Sequence, residues 1–315
     1  MDIFLHSVVT LFAGLFLPLT QTAEARQVSF GAPAAQILFG GDMMFDRSIR
    51  TTIEKKGGDY VFSCLHDLFK QQDLVVANLE GPITDHASIS QFSEPGDGNN
   101  YTFTFPPSTA ALLYKHNVRM VNLGNNHIMN FRIEGLISTK KYLGDAGVKY
   151  FGDPDLPDPD RPVRLMINNI PFSFITWSDW TSDNTDLTAA AVRKEKDAGR
   201  IVVVYTHWGE EYQSATDHEK RLARSLVDAG AEIIVGSHPH VVQEHELYTP
   251  RLDDGATSKH IYYSLGNLFF DQYWESAVSH GLMLEVVFGP KGIQSVKEIP
   301  VALQKDRRTC PIVTN

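Results

Sequence analysis

The chain has 315 residues, 43% of them hydrophobic, with 38 acidic against 28 basic side chains and a formal charge of −10 at pH 7. That length and apolar content support one large buried core or two modest ones. The acidity excludes a non-specific nucleic-acid binder, which would carry a basic surface.

At the N-terminus, residues 8–20 form an apolar run too short to span a bilayer comfortably, followed by the small-x-small pattern Ala23-Glu24-Ala25. This predicts a secretory signal peptide over residues 1–25, a periplasmic or extracellular location, and a single mature domain over 26–315. No Lys or Arg precedes the apolar run, so an uncleaved N-terminal anchor is the alternative. Loss of residues 1–25 would remove Asp2 and Glu24, leaving 36 acids against 28 bases. The two cysteines, Cys64 and Cys310, read either as one disulfide formed in an oxidising compartment or as two buried thiols.

Along the rest of the chain, short apolar runs alternate with amphipathic segments, the pattern of an α/β protein. Strands are predicted at 36–39, 73–77, 119–123, 201–205 and 232–235. Helices are predicted at 108–116 with Ser108 as N-cap, 133–143, 189–197, and 218–229 ending at Gly230. The segments 163–177, 260–265, 282–288 and 296–303 have no convincing helices between them and predict antiparallel strands in a second sheet. Polar or Pro/Gly-rich stretches at 86–107, 153–162 and 178–186 read as loops within one domain.

All five early strands finish in metal-competent side chains. The first runs into Gly40-Gly41-Asp42, the second into Asn78-Leu79-Glu80, the third into Asn125-Asn126-His127. The fourth runs into His207-Trp208-Gly209-Glu210, and the fifth into His238-Pro239-His240. In an open α/β sheet the loops beyond the carboxyl ends of parallel strands line one crevice, so these residues are expected to converge. Each alone has an ordinary structural explanation: a turn residue, a helix N-cap or a hydrogen-bonded core histidine. Together they make a mixed N/O donor set suited to Zn, Mn, Fe or Co more than to Ca or Mg. Two histidines one residue apart point to opposite sides of an extended segment, so His238 and His240 are expected to serve two adjacent metal positions. Such a centre favours hydrolysis, because a divalent ion lowers the pKa of bound water to about 7. Competing mechanisms lack their parts: there is no G-x-S-x-G elbow, P-loop, H-E-x-x-H or dinucleotide fingerprint.

Six ordered motifs, GDMMFDR (41–47), NLEGPIT (78–84), NNH (125–127), HWGEEY (207–212), DAGAEIIVGSHPHVVQ (228–243) and YSLGNLFFD (263–271), resemble the bacterial capsule-synthesis CapA family associated with poly-γ-glutamate. Through it the chain is similar to calcineurin-like metallophosphoesterases. The resemblance implies an α/β fold of two packed mixed β-sheets flanked by helices, a four-layer sandwich. It also implies one or two divalent ions (Mn, Fe or Zn) held by Asp42, Glu80, Asn126, His207, His238 and His240, with His127 as proton donor to a leaving group.

Two departures from that family stand out. The usual Asp-x-His is Asp42-Met43-Met44 here, and the bridging aspartate is the longer Glu80. The site is therefore expected either to hold a single metal or to fill the gap with Asp46 or water. Arg47, with a guanidinium shaped for carboxylate or phosphate, is expected to bind substrate or else to make an ordinary surface ion pair. Trp208, Glu210, Tyr212 and Asn267 are expected to line the same mouth or support it, the alternative for the strand-end aromatics being packing alone.

The implied function is an exported metal-dependent hydrolase-like protein in poly-γ-glutamate or other anionic capsule-polymer biosynthesis. Its partners would be an anionic polymer or phosphoester substrate and a membrane capsule-synthesis complex. The alternatives are a non-catalytic polymer-binding or export factor with a vestigial metal site, and a general secreted phosphoesterase.

Overall fold

A computed structural model describes residues 33–156, 161–181, 185–251 and 257–312. The predicted signal peptide lies outside the described residues, as do parts of the loops predicted at 153–162 and 178–186. Two mixed sheets organise the chain. The first has the strand order β14 (Thr309–Pro311), β13 (Gly292–Leu303), β12 (His280–Gly289), β1 (Ala35–Met43), β2 (Leu74–Leu79), β3 (Val118–Asn122) and β4 (Lys149–Phe151). The short β11 (Asn267–Phe269) pairs with the end of β1. The second runs β5 (Val163–Ile167), β6 (Ile170–Ser178), β7 (Ile201–His207), β8 (Ile233–Ser237), β10 (Lys259–Tyr262) and β9 (His245–Tyr248).

This corrects the expected division into one parallel and one antiparallel sheet. Each sheet has a parallel run: β1 to β4 form one side of the first, with antiparallel strands beyond β1, and β6, β7, β8 and β10 form the middle of the second, with an antiparallel strand at each edge. The reason lies partly at Asn168 and Asn169, whose φ values of 48° and 64° make a two-residue hairpin turn. The segment predicted over 163–177 therefore folds into β5 and β6, and β6 is free to join β7 in parallel through the crossover helix α6 (Thr185–Asp197).

Three of the other helices match predicted ones: α4 (Ser108–Lys115), α5 (Arg132–Ala146) and α7 (Asp217–Asp228). Ser108 is not the N-cap of α4: Pro107 occupies that position and no side chain caps the helix. The start of α7 is fixed instead by a capping box, in which Thr216 accepts from the Glu219 N–H and Glu219 reaches back to the Thr216 N–H. Between β1 and β2 lie three helices the sequence did not predict, α1 (Arg47–Lys56), α2 (Gly58–Phe62) and α3 (His66–Lys70).

Strand parity sorts the core into three layers. Leu38, Val75, Ala77 and Val121 face out from the first sheet, beneath Phe62, Leu113 and Leu143 of the helices. Ile37, Phe39, Val76 and Met120 face inward, against Phe174, Val203, Tyr205 and Val235 of the second sheet. Val202, Val204 and Ile234 face the opposite way, under Leu222 and Leu226 of α7. Helices, sheet, sheet and helices thus stack as four layers. Cys64 and Cys310 form a disulfide with Cα atoms 5.0 Å apart, tying the segment between α2 and α3 to β14 across 246 residues of sequence. Among the described residues no helix is long and apolar enough to cross a membrane.

Candidate metal centre

The inter-sheet face changes from apolar to polar at the carboxyl ends of the strands, and the same parity that builds the core aims the polar residues. Val76 is followed two residues on by Asn78, Met120 by Asn122, Phe174 by Thr176, Tyr205 by His207 and Val235 by Ser237. Asp42 reaches this face by a different device. Phe39 pairs with Val76 and Asp42 with Asn78, so β1 carries one extra residue, a bulge at Gly40-Gly41 that re-aims the carboxylate. Gly41 is required there, because a Cβ would lie 1.8 Å from the Gly266 carbonyl oxygen. β11, parallel to β1, then sets Asn267 level with Asp42.

Asn78 is the hub. Its amide donates to Asp42 Oδ1 at 2.8 Å and lies 3.4 Å from Glu80 Oε2, while its carbonyl accepts from Asn122 and Asn125, each at 3.1 Å. Asn125 in turn accepts from the His127 and Ile128 N–H groups, which shapes the turn carrying Asn126 and His127. Around this frame two overlapping triads converge, Glu80/His207/His238 and Asp42/Glu80/His240, with the ligand atoms of each triad within 4.8 Å of one another and every residue buried.

The hydrogen bonds behind the rings decide which nitrogen faces inward. The Ser237 hydroxyl gives its proton to the Thr206 carbonyl, so His207 Nδ1–H donates to Ser237 Oγ at 3.0 Å, a closer partner than the Asn78 amide nitrogen at 3.3 Å, whose N–H groups point to Asp42 and Glu80. His207 Nε2, an acceptor, then faces the acceptor Asn126 Oδ1 at 3.0 Å. Likewise the Asn267 amide N–H groups go to Gln272 and to the Val278 carbonyl, so His240 Nδ1–H donates to Asn267 Oδ1 at 3.0 Å and Nε2 faces Glu80 Oε1 at 3.5 Å. Among the described residues, Glu80 Oε1 and His238 Nδ1 are buried with no hydrogen-bond partner. Acceptors that face acceptors, and buried acceptors left unpaired, fit a divalent cation, and the donor chemistry suits Mn, Fe or Zn.

The electrostatics hold the two carboxyls in opposite states. Burial opposes ionisation of Asp42, but the hydrogen bond and charge of His240, with His207 and Asn78, hold its carboxyl well below the usual range. Burial, aided by the Asp42 charge, pushes Glu80 well above it. Burial also keeps two of the imidazoles neutral, the form that binds metal: His207 is held far below its ordinary value, and His238 is lowered to about 3 by desolvation and by His240.

His238 and His240 occupy positive-φ backbone, at 97° and 58°. The segment is therefore not the extended one expected, since β8 stops at Ser237. Two left-handed residues turn both rings back toward the cluster, with centroids 6.0 Å apart. Each histidine still falls in a different triad.

The remaining predicted residues divide. His127 sits beside the cluster, Nε2 3.9 Å from Glu80 Oε1, with its ring against Phe103. Desolvation lowers it to about 4. Arg47 projects into the adjoining cleft between the Phe103 and Phe270 rings, donating to Asp271 at 2.5 Å and Asn100 at 2.9 Å. Tyr212 lines that cleft, whereas Glu210 does not; its neighbour Glu211 does.

Trp208 is not at the mouth at all. By parity it points the other way from His207, fully buried under α7, with its indole N–H given to the Tyr263 carbonyl at 2.8 Å. Asp46 does not fill the place of the missing histidine, because its carboxylate accepts from the Arg47 and Thr104 N–H groups and caps α1. Sequence reasoning missed the supporting residues Asn78, Asn122, Asn125 and Ser237, and also Trp180, whose ring lies 4.4 Å from that of His238. For Asn78 a signal existed: it precedes Glu80 by two residues and caps an apolar alternation.

The profile of the family described as bacterial capsule synthesis protein PGA_cap matches residues 36–272. The chain is 29% identical over 287 residues to the PGA biosynthesis protein CapA of Bacillus subtilis, covering 84% of this chain and 70% of that protein. It is 30% identical over 302 residues to the capsule biosynthesis protein CapA of Bacillus anthracis, covering 85% and 70%. It is 35% identical over 319 residues to the uncharacterised protein y4sH of Sinorhizobium fredii, covering 73% and 65%. The matched span holds every residue of the two triads together with the Asn78 and Asn267 supports, and the chain belongs to the bacterial capsule synthesis PGA_cap family.

Proposed function

We propose that this chain is an exported, divalent-metal-dependent hydrolase-like protein acting in the synthesis or processing of poly-γ-glutamate or another anionic capsule polymer. The observation that carries the reading is the convergence of two acceptor triads on unpaired Glu80 Oε1 and His238 Nδ1. Asp42, Glu80, His207, His238 and His240, with the Asn126 carbonyl, would hold the metal. When bound, a divalent cation supplies Lewis-acid polarisation and a nucleophile active at neutral pH.

The chain's own groups do the rest. Ser237 and Asn267 hold two imidazoles in the ligating tautomer. Asn130 Oδ1 accepts the Phe103 N–H and faces His127 Nδ1 at 3.1 Å. This makes Nδ1 the donor and leaves Nε2 as the atom that takes up or delivers a proton at the cleft. Arg47, fixed by Asp271 and Asn100, orients an anionic group. Export is supported by the apolar run with its Ala23-Glu24-Ala25 pattern and by the disulfide, which suits an oxidising compartment.

The test is metal analysis of the purified protein with a panel of phosphoesters and γ-linked glutamate oligomers. Bound transition metal and metal-dependent turnover are expected, both lost in His238→Ala. If His238→Ala abolishes metal binding but leaves capsule formation intact, the protein is a non-catalytic polymer factor. Broad phosphoester turnover without any polymer phenotype would mark a general phosphoesterase.

A further inference from the structure

Outward from His127 and His240 opens a cleft of about 490 Å³ that includes Arg47, Tyr101, Glu211, Tyr212 and Trp274 in its walls. The volume lies within the range of about 300–1,000 Å³ that encloses small molecules. Three of its wall residues are aromatic and exposed, Tyr101 at 53%, Tyr212 at 37% and Trp274 at 60%, with the Tyr212 and Trp274 rings edge-on at 5.8 Å. The side-chain amides in the walls are already engaged: Gln91 donates to Glu54, Asn100 to Ser93, and Gln272 to Tyr212. Arg47 is neutralised by Asp271. Aromatic faces and the Glu211 carboxylate are therefore what the outer cleft offers, with the Arg47 guanidinium at the inner end and no positive excess along the walls.

A chain bearing a carboxylate on every residue meets Glu211 while Arg47 is already paired with Asp271, so among the described wall residues no positive excess offsets it beyond the metal centre. A ligand with one anionic group and a ring bearing hydroxyls fits better. Its anion sits at the inner end, its apolar ring face lies on the aromatic rim, and a hydroxyl donates to Glu211. We propose that the cleft binds a glycosyl phosphate, a sugar ring carrying a single phosphate, in preference to a γ-glutamyl chain. The inference rests on the metal centre proposed above and narrows the ligand of that same site.

Isothermal titration of full-length, Mn²⁺-loaded His127→Asn protein, a background chosen to silence turnover, tests it with three probes: inorganic phosphate, glucose 1-phosphate and a γ-linked glutamate pentamer. Glucose 1-phosphate is expected to bind about tenfold more tightly than phosphate, and more tightly than the pentamer. The glucose 1-phosphate to phosphate ratio should fall towards one in Trp274→Ala and Tyr101→Ala and persist in Trp274→Phe, with thermal melts verifying that each variant is folded. A ratio near one with the rim intact, a tighter pentamer, or a ratio that survives both alanine variants overturns the proposal. If phosphate itself does not bind, the metal centre fails, and this inference goes with it by a separately visible route.

Discussion

The imidazoles of His116 and His207 are almost equally buried, at 2% and 0% exposure, yet only one belongs to a candidate centre. His116 is saturated by the protein: Nε2 meets Asp59 at 2.9 Å, Nδ1 meets His66 at 2.9 Å, and Phe62 stacks on the ring at 4.3 Å. Around His207, His238 and His240 the outer nitrogens of two rings are saturated while the inner ones face other acceptors, and His238 Nδ1 and Glu80 Oε1 have no hydrogen-bond partner among the described residues. Burial does not separate the two clusters. What separates them is whether hydrogen bonding closes on itself or leaves acceptors that only a cation can satisfy.

That contrast can be broken by substitution. His238→Ala should weaken Mn²⁺ or Zn²⁺ binding by more than about 100-fold, since loss even of a supporting residue costs about 10–100-fold; equilibrium dialysis measures it, and retained affinity would remove His238 from the centre. Asn78→Ala touches no metal directly but frees Asp42 from its 2.8 Å hydrogen bond, and should weaken metal binding by about 10–100-fold in the same assay. His116→Ala reverses the pattern: urea denaturation should show a loss of about 1–2 kcal/mol, with metal affinity unchanged. Smallest of all, Trp208→Phe should cost about 1 kcal/mol through the orphaned Tyr263 carbonyl and leave ligand affinity untouched, whereas a loss of ligand binding would return Trp208 to the mouth.

Much of the centre was legible because strand-end residues follow strand periodicity, and the five strands predicted before it all exist as β1, β2, β3, β7 and β8. Sheet membership was not legible, because alternation tells which face a residue takes and not which strand lies beside it. Parity also places Trp208, which must oppose His207 if His207 faces the core. Glu210 and Glu211 could not be told apart, since both follow Gly209 at φ 81° in a loop with no period. The left-handed backbone at His238 and His240 carries no sequence mark, because histidine there gives none of the signal that glycine would. Asp46 stands in the first motif beside Asp42, but its work as a cap depends on α1, a helix the sequence did not disclose.

The most direct measurement is anomalous diffraction from crystals of the metal-loaded protein, collected on either side of the metal absorption edge. The account predicts density enclosed by Glu80, His207 and His238, by Asp42, Glu80 and His240, or by both. No anomalous density within the cluster at saturating metal, or density confined to other histidines such as the His245–His260 pair on β9 and β10, would contradict it.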